Sequence, residues 1–232
     1  MKILPVSFIN KHFNLLVGVL VLSLLVTIPI AYYMITTSPS DYLQGELVKI
    51  MYIHVPAAWL ALGIYSIIAL LSAGFIILKN PQLFIVARHL SLIGTCYTLI
   101  ALITGAIWGK PTWGAWWVWD ARLTSMLLLM FIYIGYYSLS HHDKNSLKSA
   151  TIASYYATAS FIIIPIIKFS VDLWSTLHQP SSIFKLTGPS VHVSIVKILL
   201  ISLTLHIFLT CLILIINIQT DLLHRKTLGN NK

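Results

Sequence analysis

The chain has few charged residues. Asp, Glu, Lys and Arg make up 9% of its 232 residues, whereas 58% of the residues are hydrophobic. Soluble globular domains typically contain about 25% charged residues, so the composition excludes an ordinary soluble protein. Long apolar stretches can cross a bilayer as helices, because a helix satisfies all of its backbone hydrogen bonds internally. We therefore predict an all-α polytopic membrane protein.

Several kinds of functional site are also missing. The two cysteines, Cys96 and Cys211, have no CxxC spacing and lie in apolar stretches, so we interpret them as small core residues. The sequence shows no Ser-His-Asp pattern, phosphate-binding loop or zinc-type cluster, and we predict no enzymatic activity. The net charge is +9, but the basic residues are not clustered on one helix or in a soluble domain. Nucleic-acid binding is therefore not expected.

Six apolar stretches are long enough to span a bilayer, which requires about 20 residues. We expect a single membrane domain, residues 1–232, whose first apolar stretch is a permanent helix and not a cleaved signal peptide. The predicted spans are residues 13–35, 54–78, 89–108, 123–140, 150–170 and 191–217.

The loop charges predict the orientation of the six spans. With an even number of spans, both termini lie on one side, and most of the basic residues lie on that side too. The positive-inside rule makes that side cytoplasmic. The basic residues counted on it are Lys2, Lys11, Lys79, Arg88, Lys144, Lys148, Arg225, Lys226 and Lys232.

A tryptophan cluster lies between the third and fourth predicted spans, on the side opposite the termini. The cluster contains four of the chain's seven tryptophans: Trp113, Trp116, Trp117 and Trp119. If the segment is helical, three of them share one face with Asp120 at spacings of i, i+3, i+4 and i+7. Such a surface would suit a large, flat, partly charged ligand, with the arginine at position 122 close by. The alternative is an aromatic belt that anchors the helices at the bilayer surface.

Three of the nine histidines fall on the same side as this cluster: His54, His178 and His192. Imidazole is a common axial ligand of haem iron. His54 precedes Pro56 at the start of the second span, and His178 lies in the loop after the fifth span. A single histidine at a membrane boundary is more often a hydrogen-bonded surface residue, so residue type and position leave both interpretations open.

Residues 108–125, WGKPTWGAWWVWDARLTS, resemble the tryptophan-rich WWD segment of haem-handling membrane proteins. The flanking segments MYIHVPAA (51–58) and WSTLHQ (174–179) resemble those of one branch, the haem exporter protein C (CcmC) family of bacterial cytochrome c maturation. The three segments occur in the family's order, and the six-span layout agrees as well. The resemblance therefore extends over essentially the whole chain.

The resemblance implies a function and a site. It implies haem b bound at the periplasmic face of the bacterial inner membrane, with His54 and His178 as axial iron ligands. The haem would pass to the membrane-anchored chaperone CcmE, assisted by an ABC-type complex of CcmA, CcmB and CcmD. We expect the loop residue His178 to be the exchangeable ligand. The other residues that match the motif are Trp113, Trp116, Trp117, Trp119, Asp120 and Arg122.

One alternative function is a small-solute channel or secondary transporter that uses the spans as a pathway. Such a protein typically has broken helices and polar residues near the middle of the membrane. The predicted spans contain Pro165 and His206, but every Asp and Glu falls in a loop or near a span end. The haem-handling interpretation accounts for more of the sequence.

Overall fold

The computed structural model describes residues 5–41, 44–142, 146–174, 176–178 and 191–230, and their extended regular structure is helical. Two short 3-10 helices, Glu46–Ile50 and Ser160–Ile162, precede α2 and α6. The helices are α1 Pro5–Thr36, α2 Met51–Leu78, α3 Pro81–Trp113, α4 Ala121–His142, α5 Leu147–Ala159, α6 Ile163–Leu173 and α7 Val193–Asn230.

Six helical segments are long and apolar enough to cross a membrane, which confirms the predicted fold class. Five of them belong to α1, α2, α3, α4 and α7, and the sixth combines α5 and α6 in Leu147–Leu173. Most of these segments extend several residues beyond the apolar stretches expected from sequence, because amphipathic residues continue each helix past its apolar part. The end at which α2, α4 and α7 begin and α1, α3 and α6 finish is called the site end below.

The fifth predicted span is a broken helix. The 3-10 segment Ser160–Ile162 separates α5 from α6, and Pro165 lies in the first turn of α6. Proline has no N–H to donate to the carbonyl of residue 161 and its ring clashes with that carbonyl. The tighter 3-10 turn accommodates both effects. The Tyr65 hydroxyl from α2 lies 2.6 Å from Ser160 Oγ, so α2 is hydrogen-bonded to the chain at the break.

The core lies among α2, α3, α4 and the α5–α6 segment, and it contains buried tyrosines as well as aliphatic residues. The fully buried Tyr133 donates a hydrogen bond of 2.7 Å to the carbonyl of Ala61. Its ring packs edge-on against Tyr65, with centroids 5.0 Å apart. Because a lost hydrogen bond is costly in an apolar interior, these tyrosines fix the relative positions of α2 and α4.

The helices α1 and α7 pack against each other at the edge of the bundle. At the end opposite the site end, Arg88 of α3 forms an ion pair of 2.6 Å with Asp221 of α7. The arginine side chain is only 1% exposed, so leaving it without its carboxylate would be strongly unfavourable. This pair holds α7 against α3.

The interpretation of the cysteines as core residues is wrong for Cys96, which is exposed on the surface of the bundle. Cys211 is half-buried. Both positions belong to spanning helices, whose outer surface faces lipid and is as apolar as the core. Apolar surroundings in the sequence therefore did not distinguish the core from the lipid-facing surface.

Three of the basic residues counted for the orientation lie outside the described residues. They are Lys2, Lys144 and Lys232. The orientation itself stays a prediction.

Candidate functional site

A cavity that is partly open to solvent lies at the site end, between α2, α3, α4 and α6. Most of its wall is aliphatic, and its titratable side chains are His54, Arg122 and His178. The remaining lining residues are Ala58, Leu62, Ala101, Leu102, Gly105, Trp117, Leu123, Met126 and Ile167.

His54 lies in the first turn of α2 and leans against α3. Its Nδ1 atom is 3.1 Å from the hydroxyl of Thr104, and the same hydroxyl donates a hydrogen bond of 2.6 Å to the carbonyl of Ile100. Since the threonine proton is already used, the hydroxyl accepts from His54 Nδ1–H. The other ring nitrogen, Nε2, therefore has a free lone pair.

The close approach of His54 to α3 depends on Gly105. A Cβ atom at position 105 would lie 3.1 Å from Cε1 of His54, closer than ordinary van der Waals contact. The edge of the His54 ring also lies against Trp108, with centroids 5.9 Å apart. The imidazole is thus held on two sides by α3.

His178 reaches the cavity from the segment after α6. Its Nδ1 atom lies 3.1 Å from Oδ2 of Asp120, whose side chain is 6% exposed. The other carboxylate oxygen of Asp120 accepts a hydrogen bond of 2.8 Å from the backbone N–H of Leu123, in the first turn of α4. Asp120 therefore caps α4 and orients His178 at the same time.

Burial lowers the pKa of His178 below its ordinary value of 6.5, while its hydrogen bond to Asp120 opposes that shift and the positive charge of Arg122 adds to it. The imidazole is consequently neutral at physiological pH. With Nδ1–H donated to the carboxylate, its Nε2 atom also has a free lone pair. Both cavity histidines are therefore in the form that can coordinate a metal.

Arg122 supplies the positive charge of the cavity. Its guanidinium lies in the electrostatic field of Asp120 and Asp172, but it forms no ion pair within 4 Å with any residue that the structure describes. The ion pair of Asp120 is with His178 and not with Arg122. The donors of Arg122 are available to an anionic group of a ligand.

The tryptophan segment is not a helix, contrary to the premise of the shared aromatic face. The helix α3 ends at Trp113, and residues 114–120 have no regular secondary structure. Gly114 adopts a left-handed conformation with φ of 78°, and its N–H bonds to the carbonyl of Lys110. This is a common glycine ending of a helix, and it turns the chain away from the axis of α3.

Two of the four clustered tryptophans reach the site. The Trp113 ring lies 4.7 Å from the His178 ring, in an edge-to-face contact, and Trp117 lines the cavity. Trp116 and Trp119 are 59% and 75% exposed, although Trp119 also packs against Trp117. The exposed pair has the character of a boundary aromatic belt, whereas Trp117 lines the cavity and Trp113 contacts His178.

Sequence reasoning missed two polar residues that support the site. Thr104 bonds to His54, and Gln44 accepts a hydrogen bond of 2.7 Å from the indole N–H of Trp108. A polar residue inside an apolar stretch was the only signal for Thr104. Lys110 lies in the last turn of α3 and donates a hydrogen bond to the carbonyl of Gly114.

His192 and Lys197 lie outside the cavity wall. The Nδ1 atom of His192 is 2.8 Å from the hydroxyl of Ser194 and accepts from the Ser194 N–H, at the beginning of α7. His192 therefore supports the start of a helix. Of the segment 174–179, Ser175 and Gln179 lie outside the described residues.

Comparison with known proteins shows a whole-chain similarity. The sequence model of the family described as "Heme exporter protein C" matches residues 4–231. The chain is 44% identical to a putative cytochrome c biosynthesis ccmC-like mitochondrial protein of Marchantia polymorpha, covering 83% of the chain and 81% of that relative.

Bacterial relatives show similar values. A heme exporter protein C of Bradyrhizobium diazoefficiens is 40% identical over 76% of the chain and 67% of the relative. One from Haemophilus influenzae is 41% identical over 75% of the chain and 72% of the relative.

Proposed function

The chain belongs to the heme exporter protein C family, and on that premise we propose that it binds haem b in the cavity between His54 and His178. As a multi-pass membrane protein with a role in haem handling, it would present this haem for cytochrome c maturation. The observation that carries the proposal is the pair of imidazoles on one cavity, each with Nδ1 engaged and Nε2 free.

In this proposal the two histidines bind the haem iron from opposite faces. Bis-imidazole coordination requires neutral rings with a free nitrogen. Thr104 and Asp120 hold the two rings in that form through their Nδ1 atoms. Iron coordination would orient the haem and distinguish it from metal-free porphyrin.

The apolar wall suits the faces of the macrocycle. Leu62, Met126 and Ile167 line the cavity together with the indole of Trp117. Removing apolar surface from water contributes about 25 cal/mol per Å², before the costs of binding are subtracted. Packing against these residues would therefore supply much of the affinity, and iron coordination the orientation.

Arg122 would bind a haem propionate. Its guanidinium lies in the cavity wall and is not paired with a carboxylate within 4 Å among the described residues. Arginine binds carboxylates in a bidentate geometry that also fixes their position. The carboxylate of Asp120 is turned toward His178, so it would not compete for this arginine.

We further propose that the haem is handed to the membrane-anchored chaperone CcmE on the periplasmic side of the bacterial inner membrane. CcmA, CcmB and CcmD would form the ABC-type partner complex, and ATP hydrolysis would belong to that complex. The exposed Trp116 and Trp119 lie at the site end, where such a partner would approach. The chain itself would hold and transfer haem as one membrane domain, without making covalent bonds.

Absorption spectroscopy tests the ligand assignment. The purified protein should carry haem with the spectrum of a six-coordinate bis-histidine complex. His54→Ala and His178→Ala should each convert it to a five-coordinate or weakly bound form. Loss of one axial ligand should lower haem retention by at least the roughly 10- to 100-fold that is typical of changing a ligand's hydrogen-bond partner.

A matched control is His192→Asn, which changes a histidine at the same end and keeps a side-chain acceptor for α7. It should leave the haem spectrum unchanged. If neither cavity variant alters the spectrum while both fold normally, the haem site lies elsewhere.

Tryptophan substitutions separate the cavity from the belt. Trp117→Ala should reduce haem retention, because it removes part of the cavity wall. Trp119→Ala should leave haem retention unchanged and should impair either membrane anchoring or transfer to the chaperone, because that ring is mostly exposed. Equal loss of bound haem in both variants would contradict the assignment of Trp117 to the cavity and of Trp119 to the exposed surface.

The channel or transporter alternative rests on the break between α5 and α6. The 3-10 segment Ser160–Ile162 is the kind of interruption that transporters use. Here, however, the fully buried Tyr65 is hydrogen-bonded to Ser160 at the break. A colourless purified protein that transports a small solute in vesicles would favour this alternative.

A further inference from the structure

The two cavity histidines have Nδ1 partners of different charge. His178 donates to the carboxylate of Asp120, whereas His54 donates to the hydroxyl of Thr104. The N···O distances are both 3.1 Å, so the two sites differ in charge and not in length. This difference bears on the strength of any bond that Nε2 makes to iron.

The hydrogen-bond partner of His54, the Thr104 hydroxyl, is neutral and has no further proton to donate. The Thr104 hydroxyl donates its only proton to Ile100, and the His54 ring also approaches the carbonyl of Ala101. Neutral oxygen acceptors polarise an imidazole N–H only weakly. His54 therefore remains an ordinary neutral imidazole.

The partner of His178 is an anion fixed in place. Asp120 is held by the N–H of Leu123 at the start of α4, and Trp113 packs against the imidazole. A carboxylate that accepts the second N–H of a ligating histidine fixes the orientation of the ring and raises its basicity. Charge-assisted hydrogen bonds are also about twice as strong as neutral ones.

We propose that Asp120 and Thr104 are positioning residues that make the two iron ligands unequal, so that His54 dissociates first during haem transfer and His178 holds the haem until the acceptor has bound. The proposal rests on the proposed haem site. It reverses the sequence-based expectation that the loop residue His178 is the exchangeable ligand.

The transfer step is a ligand exchange. The bond between iron and Nε2 of His54 breaks, and the electron pair stays on the imidazole nitrogen. A Lewis base of the acceptor donates its own pair to the vacated position. The iron keeps its oxidation state and no proton moves, so the step needs no oxidant or reductant.

Carbon monoxide is a suitable probe, because it binds ferrous haem by replacing one axial ligand, and its stretching frequency reports the ligand that remains. The C–O band of the wild-type complex should match that of His54→Ala, in which His178 is the remaining ligand. It should differ from that of His178→Ala. The opposite match would show that His178 leaves first and would overturn the proposal.

Variants of the two positioning residues give an independent readout. Thr104→Val should speed CO binding roughly tenfold without moving the C–O band, and Thr104→Ser should restore the wild-type rate. In Asp120→Asn the single amide oxygen can accept from the Leu123 N–H or from His178 Nδ1–H but not from both. This variant should shift the C–O band and leave the rate of CO binding close to that of the wild type, because the rate depends on His54. A band shift in Thr104→Val, or none in a folded Asp120→Asn, would overturn the proposal.

Asp172→Asn is the matched control for charge. Asp172 is an exposed carboxylate in the field of Arg122 but has no bond to His178 among the described residues. It should change neither the band nor the rate. A shift as large as that of Asp120→Asn would mean that net charge, and not the Asp120–His178 bond, sets the frequency, and would overturn the proposal.

The failure of this proposal is distinguishable from failure of the haem site itself. If the wild-type protein binds no haem, or if neither histidine variant changes its spectrum, the proposed function is wrong and the ligand order falls with it. If the wild type shows bis-histidine haem but the variants follow the other order, only the inequality of the ligands is wrong.

Discussion

At the scale of single residues, the two cavity histidines depend on neighbours that settle which nitrogen is free. Nδ1 of His54 is engaged by Thr104 and Nδ1 of His178 by Asp120. Both histidines could be proposed from sequence, because residue type and position relative to the predicted spans point to the same end of the bundle. Their hydrogen-bond partners could not all be found, since Thr104 meets His54 only through the register of α2 against α3.

The pH dependence of haem binding tests the state of His178. A proton and the iron compete for Nε2, and burial lowers the pKa of this histidine below 6.5. Protonation therefore becomes significant only below that pH, so haem affinity should be constant from about pH 8 to about pH 6.5 and fall at lower pH. Absorbance titrations at fixed pH values measure this.

The Asp120→Asn variant tests the direction in which Asp120 shifts the pKa of His178. Because Asp120 raises the pKa of His178, its removal should move the loss of binding to a still lower pH, even though the haem is held more weakly. A midpoint above pH 6.5 in the wild type, or an upward shift in the variant, would contradict the assignment.

Gly105 permits the contact between His54 and α3. In Gly105→Ala the new Cβ would lie 3.1 Å from Cε1 of His54, so the ring must move by a few tenths of an ångström from its preferred position. Such a displacement costs about 1 kcal/mol, and haem affinity should fall roughly fivefold. Gly63→Ala is the matched control on α2, since a Cβ there meets nothing within 4 Å. Equal affinities would show that His54 is free to shift.

At the scale of elements, the largest difference from the sequence-based prediction is the tryptophan segment. Helical spacing indicated one shared face, but α3 ends at Trp113 and Gly114 turns the chain. The physical signal was present, because glycine is strongly favoured immediately after a helix. The helical spacing of the tryptophans predicted that the helix continues, whereas Gly114 predicted that it ends. The structure follows the glycine signal.

The broken fifth span has a comparable cause. Pro165 removes a backbone donor from the α5–α6 segment, and the 3-10 segment precedes it. The apolar stretch predicted the crossing, whereas the hydrogen bond between Tyr65 and Ser160 at the break is a tertiary contact that no local pattern contains.

Gly114 offers a test of this turn. Its φ of 78° costs an alanine about 1–2 kcal/mol, whereas asparagine tolerates the left-handed conformation better. Gly114→Ala should therefore lower haem retention and the unfolding temperature, with Gly114→Asn intermediate. Both are measured by absorbance of the haem-loaded protein on heating.

The control for this series is Gly18→Ala in α1, where an added Cβ meets nothing within 4 Å and φ is not positive. It should match the wild type. Identical behaviour of Gly114→Ala and the wild type would mean that the segment between α3 and α4 does not hold Trp117 in the cavity.

At the scale of the whole molecule, the predicted six-span architecture is confirmed, and the two ends of the bundle carry different chemistry. The cavity occupies the site end, and the buried pair Arg88–Asp221 lies at the other end. Composition and apolar length were sufficient for the architecture, because the membrane requirement of about 20 apolar residues is local. Which helices line the cavity depends on packing, and it became apparent only in three dimensions.

The orientation of the bundle remains a prediction, and the structure removes one of the basic residues on which it was based. Arg88, counted as a cytoplasmic loop charge, lies inside α3 and is paired with Asp221, so it contributes little to the loop bias. Lys11, Lys79 and Lys148 remain at the ends of helices on the same side. The positive-inside rule still places that side in the cytoplasm.

Reporter fusions measure this orientation directly. A fluorescent protein fused to the C-terminus should fluoresce in the cytoplasm, and alkaline phosphatase should be active when fused after Ser40 but inactive when fused after Asn80. Ser40 precedes α2 at the site end, and Asn80 precedes α3 at the opposite end, so the two fusions are matched controls for each other. The reverse pattern would place both cavity histidines on the cytoplasmic side. Haem bound there could not be passed directly to a periplasmic chaperone, so the proposed transfer would fail even if haem binding at His54 and His178 were established.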